Sequence, residues 1–164
     1  MATIPLPPES KELLRLFENH GVEYLLVGDH AVIHYGYVRS TGDTDLWIAV
    51  SPVNASRVSA ALREFAFSAD SVPPELFLEE GPMVRMGVAP FRIEILTSIS
   101  GVNFAEAFSR RLRESLGEFD INVITLEDLI ANKKASGRLK DLADIENLIP
   151  RASKKSKRRG PSEK

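Results

Sequence analysis

Residues 42–46 read Gly-Asp-Thr-Asp-Leu and open an apolar segment that continues to Val50. The segment has the pattern of a β-strand preceded by a turn. Side chains two residues apart on a strand share a face, so Asp43 and Asp45 lie about 7 Å apart at the backbone and their carboxylates can converge on one ion. Burial of a lone carboxylate is costly, and Mg²⁺ (or Mn²⁺) would neutralise the pair through the oxygen ligands that these ions prefer. The alternative is a solvent-facing edge on which both acids are hydrated.

A third acid lies inside a second apolar segment, where residues 91–96 read Phe-Arg-Ile-Glu-Ile-Leu. Strand alternation places Arg92 and Glu94 on the same face. Two interpretations stay open for Glu94. It forms a structural ion pair with Arg92 or Arg85, or it joins the two aspartates in a two-metal site, which holds ions about 3.5–4 Å apart and stabilises the attacking and leaving oxygens of phosphoryl transfer. In the second case Glu94 also acts as general base, or helps a metal to activate the attacking hydroxyl.

A glycine follows the first predicted strand, in the sequence Val27-Gly28-Asp29. A glycine after a strand lets the backbone approach a phosphate, and the N-terminus of the helix that follows attracts it. Most junctions of this kind are simple turns. The position of Gly28, 15 residues before Asp43, is what makes it a candidate phosphate-binding residue.

Length and composition limit the classes of protein that the chain can belong to. Its 164 residues include no cysteine, which excludes disulfides and thiolate metal sites. We predict one domain over residues 1–152 and a basic, disordered tail over residues 153–164. The chain has neither a signal-peptide pattern nor an apolar run of about 20 residues, so we expect a cytoplasmic protein that does not contact a membrane. His30 and His34 are four residues apart, and structural or substrate-facing roles are favoured over a zinc site.

The predicted elements mix strands and helices without strict alternation, which indicates an α+β or mixed α/β fold. Ser10 and Thr125 are predicted helix N-caps, Gly137 a helix end, and Pro150 the end of the last helix. We predict helices over residues 11–20, 30–35, 52–65, 104–116, 126–136 and 139–148, and strands over residues 23–27, 44–50, 83–88, 91–97 and 121–124.

Together these motifs resemble the minimal nucleotidyltransferases of the DNA polymerase β type. That pattern is an apolar residue, Gly, then Gly or Ser, a short gap, Asp-x-Asp and a third acid on a later strand. Here the gap between Asp29 and Asp43 is 13 residues. The stretches 28–45, 95–102 and 133–144 are similar to the bacterial AbiEii-like toxins and related uncharacterised nucleotidyltransferases. The resemblance covers about residues 10–150 and implies a nucleotidyltransferase fold, in which helices flank a small mixed sheet.

The resemblance also implies roles for individual residues. Asp43, Asp45 and Glu94 would bind metal and carry catalysis, and Gly28 would admit the triphosphate. Asp29 departs from the pattern, because a carboxylate there repels phosphate unless it is protonated, turned away or bridged by metal. The other predicted nucleotide-binding residues are Arg39 and Thr41, which lie just before the Asp-x-Asp turn, and two members of a basic cluster. That cluster consists of Lys133, Lys134, Arg138 and Lys140, of which Lys134 and Arg138 are favoured, and Asp141 and Asp144 would orient its cations through salt bridges.

The expected activity is transfer of an NMP from an NTP to a hydroxyl of RNA or of a protein side chain, with Mg²⁺. The resemblance adds a toxin–antitoxin pair, in which an antitoxin or a second copy of the chain supplies part of the acceptor surface. The alternative is a catalytically degenerate nucleotidyltransferase-fold module that binds and regulates through a partner protein, with Asp29 as the lesion.

Overall fold

A computed structural model describes residues 6–37, 43–65, 71–81, 83–87 and 92–158, with side chains described up to Pro150. Predicted site residues Arg39 and Thr41 lie outside these ranges. The described strands are β1 (Tyr24–Val27), β2 (Thr44–Ile48), β3 (Met83–Met86), β4 (Ile93–Leu96), β5 (Leu112–Ser115) and β6 (Asp120–Val123). The described helices are α1 (Pro8–Asn19), α2 (Gly28–His34), α3 (Pro52–Phe65), α4 (Phe104–Ser109), α5 (Leu126–Ser136) and α6 (Leu139–Arg158), with a short 3-10 turn at Pro74–Phe77.

The six strands form one mixed sheet in the order β3-β4-β2-β1-β6-β5. The pairs β2–β4 and β1–β6 are parallel, and the other three pairs are antiparallel. A mixed sheet combined with helices confirms the predicted fold class. No helix among the described residues is long and apolar enough to cross a membrane.

The two faces of β2 separate the hydrophobic core from the acids. Thr44, Leu46 and Ile48 are fully buried. Asp43 and Asp45 belong to the opposite face, because successive side chains of a strand alternate. Helix α1 packs against α3, and α1 meets the core face of β2 through a hydrogen bond of 2.7 Å between the Ser10 and Thr44 hydroxyls. The acids therefore lie on the sheet face away from α1.

Three of the predicted element boundaries are wrong. Ser10 lies inside α1, which begins at Pro8, and its hydroxyl bonds to Thr44 instead of capping the helix. The helix predicted over residues 104–116 ends at Ser109, and residues 112–115 form β5. These residues suit a helix by propensity, but pairing with β6 decides their conformation.

The third correction concerns Pro150, which lies inside α6. A proline removes one backbone hydrogen bond and kinks a helix without always ending it. Helix α6 extends to Arg158, so the backbone is helical over residues 153–158, where the sequence predicts a tail.

The two ends of α5 are confirmed. The Thr125 hydroxyl accepts a hydrogen bond from the backbone N–H of Asp128 at 3.1 Å. At the other end Gly137 takes a left-handed conformation with a φ of 67°.

Candidate active site

The sheet brings the predicted acids together at the centre of the molecule. Asp45 on β2 pairs in register with Val27 on β1 and with Glu94 on β4. Asp43 immediately precedes β2, and Gly28 begins α2 directly after β1. All of these residues line one cleft of about 410 Å³. Three segments that are distant in sequence thus supply a single site.

Position 28 favours glycine for two reasons, the conformation of its backbone and the space beside it. Its φ is +67°, a region that side chains with a Cβ rarely adopt. A Cβ at this position would lie 2.2 Å from Oδ2 of Asp45. The backbone at the strand–helix junction therefore approaches the carboxylate as closely as a glycine allows.

Asp45 lies in an environment that disfavours its ionised form. Its Oδ1 is buried and has no hydrogen-bond partner among the described residues. Burial, followed by the negative charges of Glu94, Asp29 and Asp43 and by a hydrogen bond with Glu94, raises the pKa of Asp45 to about 7. Asp45 is therefore about half protonated at pH 7.

The other two predicted metal ligands contact arginines. Nε of Arg92 lies 3.3 Å from Oδ1 of Asp43, and Nε of Arg85 lies 3.0 Å from Oε1 of Glu94. The structural ion pair that the sequence offered for Glu94 is thus present, with Arg85 as the partner. Among the described residues no three acids or histidines are already arranged as a metal-binding group. The carboxylates are neighbours, but they have not converged on one point.

Asp29, the departure from the sequence pattern, is paired with a lysine across the cleft. Its Oδ2 lies 3.0 Å from Nζ of Lys140, and 15% of its side chain is exposed. Both residues line the cleft. Because an ion pair offsets the negative charge, Asp29 repels a phosphate less than an isolated carboxylate would.

The basic cluster divides between the cleft and the surface. Arg138 lines the cleft, and its Nε lies 2.8 Å from Oδ2 of Asp141. Lys133 also borders the cleft and is buried between Asp141, at 3.3 Å, and Asp144, at 3.0 Å. Lys134 is exposed and is absent from the cleft lining. The predicted pairing of these two aspartates with cations is therefore present.

Asp141 anchors this network. Burial acts to raise the pKa of Asp141, but hydrogen bonds from Arg138 and Ser136 and the charge of Lys133 outweigh it and hold the pKa below its usual range. The carboxylate stays ionised and fixes Arg138 at the rim of the cleft.

The two histidines do not form a metal site. His30 is 2% exposed, and burial lowers its pKa, so the ring is neutral. His34 instead lies 3.5 Å from Glu114 on β5. His34 thus contacts the sheet, whereas neither ring nitrogen of His30 has a hydrogen-bond partner among the described residues.

The sequence did not identify Arg85 and Arg92 as cleft residues. Both share strand faces with the acids, so alternation on β3 and β4 was the available signal. Lys133 and Lys140 of the predicted basic cluster also line the cleft, although Lys134 and Arg138 were favoured, and Lys140 reaches Asp29 because α6 folds back over the cleft.

No protein-family model matches the chain, and no curated protein matches its sequence. Comparison with solved structures finds an antigenic nucleotidyltransferase-like protein from Paracoccidioides brasiliensis, with a TM-score of 0.52 and 15% sequence identity. The match covers 89% of this chain and 78% of that one. The AbiEii-like and toxin assignments gain no support from this match and stay predictions. With its six-stranded mixed sheet and this structural likeness, the chain has a nucleotidyltransferase-like fold.

Proposed function

We propose that the protein is a nucleotidyltransferase that moves an NMP from an NTP to a hydroxyl group. The observation that carries this proposal is the state of Asp45. A half-buried carboxylate, with one buried and unpartnered oxygen, lies among three other acids and directly beside the glycine that begins α2. A cluster of this kind needs a cation.

The residues present fit a hard divalent ion. The donors of the cluster are carboxylate oxygens, which suit Mg²⁺ or Mn²⁺. Asp43, Asp45 and Glu94 would hold the ion, since β2 and β4 place Asp45 and Glu94 side by side. When bound, such an ion neutralises phosphate charge and lowers the pKa of an attacking hydroxyl.

The arginines have a second role in this proposal. Arg92 and Arg85 occupy Asp43 and Glu94, and both line the cleft. If Asp43 and Glu94 held a cation, the two guanidinium groups would be available for phosphate oxygens, which they match in a bidentate geometry. Arg85 and Arg92 would then help to hold the triphosphate.

The remaining cleft residues position the NTP. Gly28 leaves room for a phosphate close to the backbone, and Arg138 and Lys140 supply positive charge from α6 and the residues before it. Glu94 accepts the proton of the acceptor hydroxyl while the hydroxyl oxygen forms a bond to the α-phosphorus of the NTP. The bond from that phosphorus to the bridging oxygen breaks, and pyrophosphate leaves with the electron pair.

The sequence resemblance extends this proposal to the acceptor and the setting. It favours RNA or a protein side chain as acceptor, within a toxin–antitoxin pair in which a partner or a second copy completes the acceptor surface. The reaction itself needs only a hydroxyl oxygen that can reach the α-phosphorus.

One observation favours the alternative of a binding module without turnover. Two of the three predicted ligands are held by arginines, and the described acids are not arranged around a single point. If the ion pairs persist when an NTP binds, the fold would bind nucleotide and signal to a partner without releasing pyrophosphate.

The test is calorimetric titration of the four NTPs with Mg²⁺, followed by an assay for pyrophosphate release. We expect micromolar, metal-dependent binding that is lost in the double variant Asp43→Ala/Asp45→Ala. The matched control, Glu118→Ala/Asp120→Ala, removes two exposed acids outside the cleft and should bind as wild type does. Binding without pyrophosphate release would favour the binding module, and absence of binding by folded wild-type protein would refute both proposals.

A further inference from the structure

A second cavity, of about 470 Å³, adjoins the cleft on the same face of the sheet. Trp47 lines it and lies two residues beyond Asp45 on β2, so the two side chains share a face with a backbone spacing of about 7 Å. Trp47 pairs in register with Leu96, one step along from the pair of Asp45 and Glu94. Leu96 lines the cleft, and Ile99 borders both spaces. A molecule in this second cavity would therefore lie next to the carboxylates.

A turn formed by residues 98–101 borders both spaces. The Asn132 side-chain amide on α5 donates a hydrogen bond to the Ser100 carbonyl at 3.0 Å. A Cβ on Gly101 would lie 2.5 Å from Cβ of Ala135, so α5 packs directly against this turn. Helix α5 thereby sets the position of Ile99 between the two spaces.

The two spaces differ in charge. The cleft is lined by several cations as well as acids: Arg85, Arg92, Lys133, Arg138 and Lys140. The charged residues that line the second cavity are Glu80 and Glu106, and no lysine, arginine or histidine among the described residues lines it. Both glutamates are exposed. A phosphate group is thus favoured in the cleft and repelled at the second cavity, where carboxylates accept hydrogen bonds from hydroxyl or ammonium groups.

Trp47 adds an unused hydrogen-bond donor. The residue is 2% exposed, and its indole Nε1 has no hydrogen-bond partner among the described residues. The ring packs edge-on against Phe104, with centroids 5.0 Å apart, which fixes its orientation. The N–H itself is enclosed by protein, whereas other atoms of Trp47 line the cavity, so the residue should respond to a ligand bound there.

We propose that this cavity, defined by Trp47, Glu80, Ile99, Phe104 and Glu106, is the acceptor subsite of the nucleotidyltransferase. It would take a small hydroxyl-bearing compound, of about the size of a sugar ring, that is uncharged or positively charged and carries no phosphate. The inference rests on the proposed function, since only that reaction makes a hydroxyl beside Asp45 and Glu94 an acceptor. It departs from the RNA acceptor that the sequence resemblance implies, because the two glutamates of the cavity repel the phosphodiesters of an RNA end.

The test uses the only tryptophan of the sequence as a reporter. The indole N–H of Trp47 gives one signal in a ¹⁵N–¹H correlation spectrum of the full chain. Glucosamine, glucose and glucose 6-phosphate present one ring with a positive, a neutral and a negative charge, and each is titrated in the presence of Mg²⁺ and an NTP. We expect the signal to move at the lowest concentration with glucosamine, at a higher one with glucose, and not at all with glucose 6-phosphate.

Two pairs of variants separate the charge of the cavity from general effects. Glu80→Gln/Glu106→Gln should weaken glucosamine binding about threefold, as expected for exposed charge contacts, and leave glucose binding unchanged. The matched control Glu75→Gln/Glu127→Gln neutralises two exposed acids that do not line the cavity and should bind glucosamine as wild type does. Equal weakening in both pairs would overturn the role of the cavity glutamates.

Nucleotide binding is measured by calorimetry on the same samples, so that failure of the acceptor subsite can be distinguished from failure of the transferase proposal. If Mg²⁺–NTP binds but the sugars leave Trp47 unmoved, the acceptor subsite is refuted and the transferase proposal stands. The subsite is also refuted if glucose 6-phosphate or an RNA oligonucleotide moves the signal as glucosamine does, or if the NTP alone competes with the sugars for the cavity. If no NTP binds while glucosamine moves Trp47, the transferase proposal fails and the preference of the cavity for cationic hydroxyl compounds stands.

Discussion

Replacement of Asp45 by asparagine should stabilise the folded protein while removing a proposed metal ligand. The pKa of this carboxyl is raised from 3.8 to about 7 by burial and by neighbouring acids. At 1.36 kcal/mol for each pH unit, ionised Asp45 costs the fold up to about 4 kcal/mol above pH 7. Asparagine keeps the shape of the side chain and cannot ionise, so the cost disappears.

The sign of the pH dependence follows from the raised pKa. Between about pH 4 and 7 the folded state keeps a proton on Asp45 that the unfolded chain has lost, so the free energy of unfolding of the wild type falls as the pH rises. The advantage of Asp45→Asn should therefore be small at pH 4 and grow to about 2–4 kcal/mol above pH 7, allowing for partial solvent access. Urea denaturation with EDTA, at several pH values, measures this difference.

Two controls separate this effect from general changes in charge. Asp120→Asn removes an exposed acid on β6 and should give a difference that does not depend on pH in this range. Excess Mg²⁺ should stabilise the wild type more than Asp45→Asn, because the variant has lost a ligand. A variant that is less stable than wild type at pH 8, or a difference independent of pH, would refute the assignment of a strained, protonated carboxyl to Asp45.

Three further outcomes follow from the geometry. Mg²⁺ binding should release about one proton at pH 6 and none at pH 9, measured by calorimetry in buffers of different ionisation enthalpy, because the ion replaces the proton on Asp45; equal release at both values would contradict this. Gly28→Ala should lower the free energy of unfolding, measured by urea denaturation, by about 1–3 kcal/mol more than Gly117→Ala does. Both positions have positive φ, but only a Cβ at Gly28 would meet a side chain. Equal losses of stability would show that the close contact is relieved at no cost. Lys133→Met should destabilise the fold by about 3 kcal/mol, because it leaves two buried carboxylates without their lysine. Lys134→Met, at an exposed site, should change stability by less than about 0.5 kcal/mol. Similar values for the two variants would exclude the buried network as a source of stability.

The site acids could be predicted from the sequence because their signals are local. A charged residue inside an apolar strand is visible in the alternation of side chains, as at Asp45 and Glu94. The helix cap at Thr125 and the left-handed glycine at Gly137 follow from turn chemistry, and both are present. These features depend on neighbours within a few residues.

The features that could not be predicted from the sequence depend on contacts between distant segments. Strand β5 exists because β6 is available to pair with it, although its residues also suit a helix. The sequence left Arg92 and Arg85 open as partners of Glu94. Arg85 contacts Glu94 and Arg92 contacts Asp43, a choice that depends on the parallel pairing of β2 and β4. The cleft receives Lys140 and not Lys134, since the turn between α5 and α6 decides which lysine points at Asp29.

The position of the acids within the sheet bears on how such proteins diverge. The metal-binding candidates and Gly28 all come from β1, β2 and β4, or directly adjoin them, whereas β5 and β6 at the far side of the sheet contribute no residue to the cleft. Natural selection for catalysis would act on a few positions in three neighbouring strands. The rest of the chain needs only to keep its pattern of apolar core positions, which many sequences satisfy. Two proteins can then share this fold at 15% identity, the level seen for the Paracoccidioides brasiliensis structure. Relatives of this protein are accordingly better recognised by the spacing and strand order of a handful of residues than by overall sequence likeness.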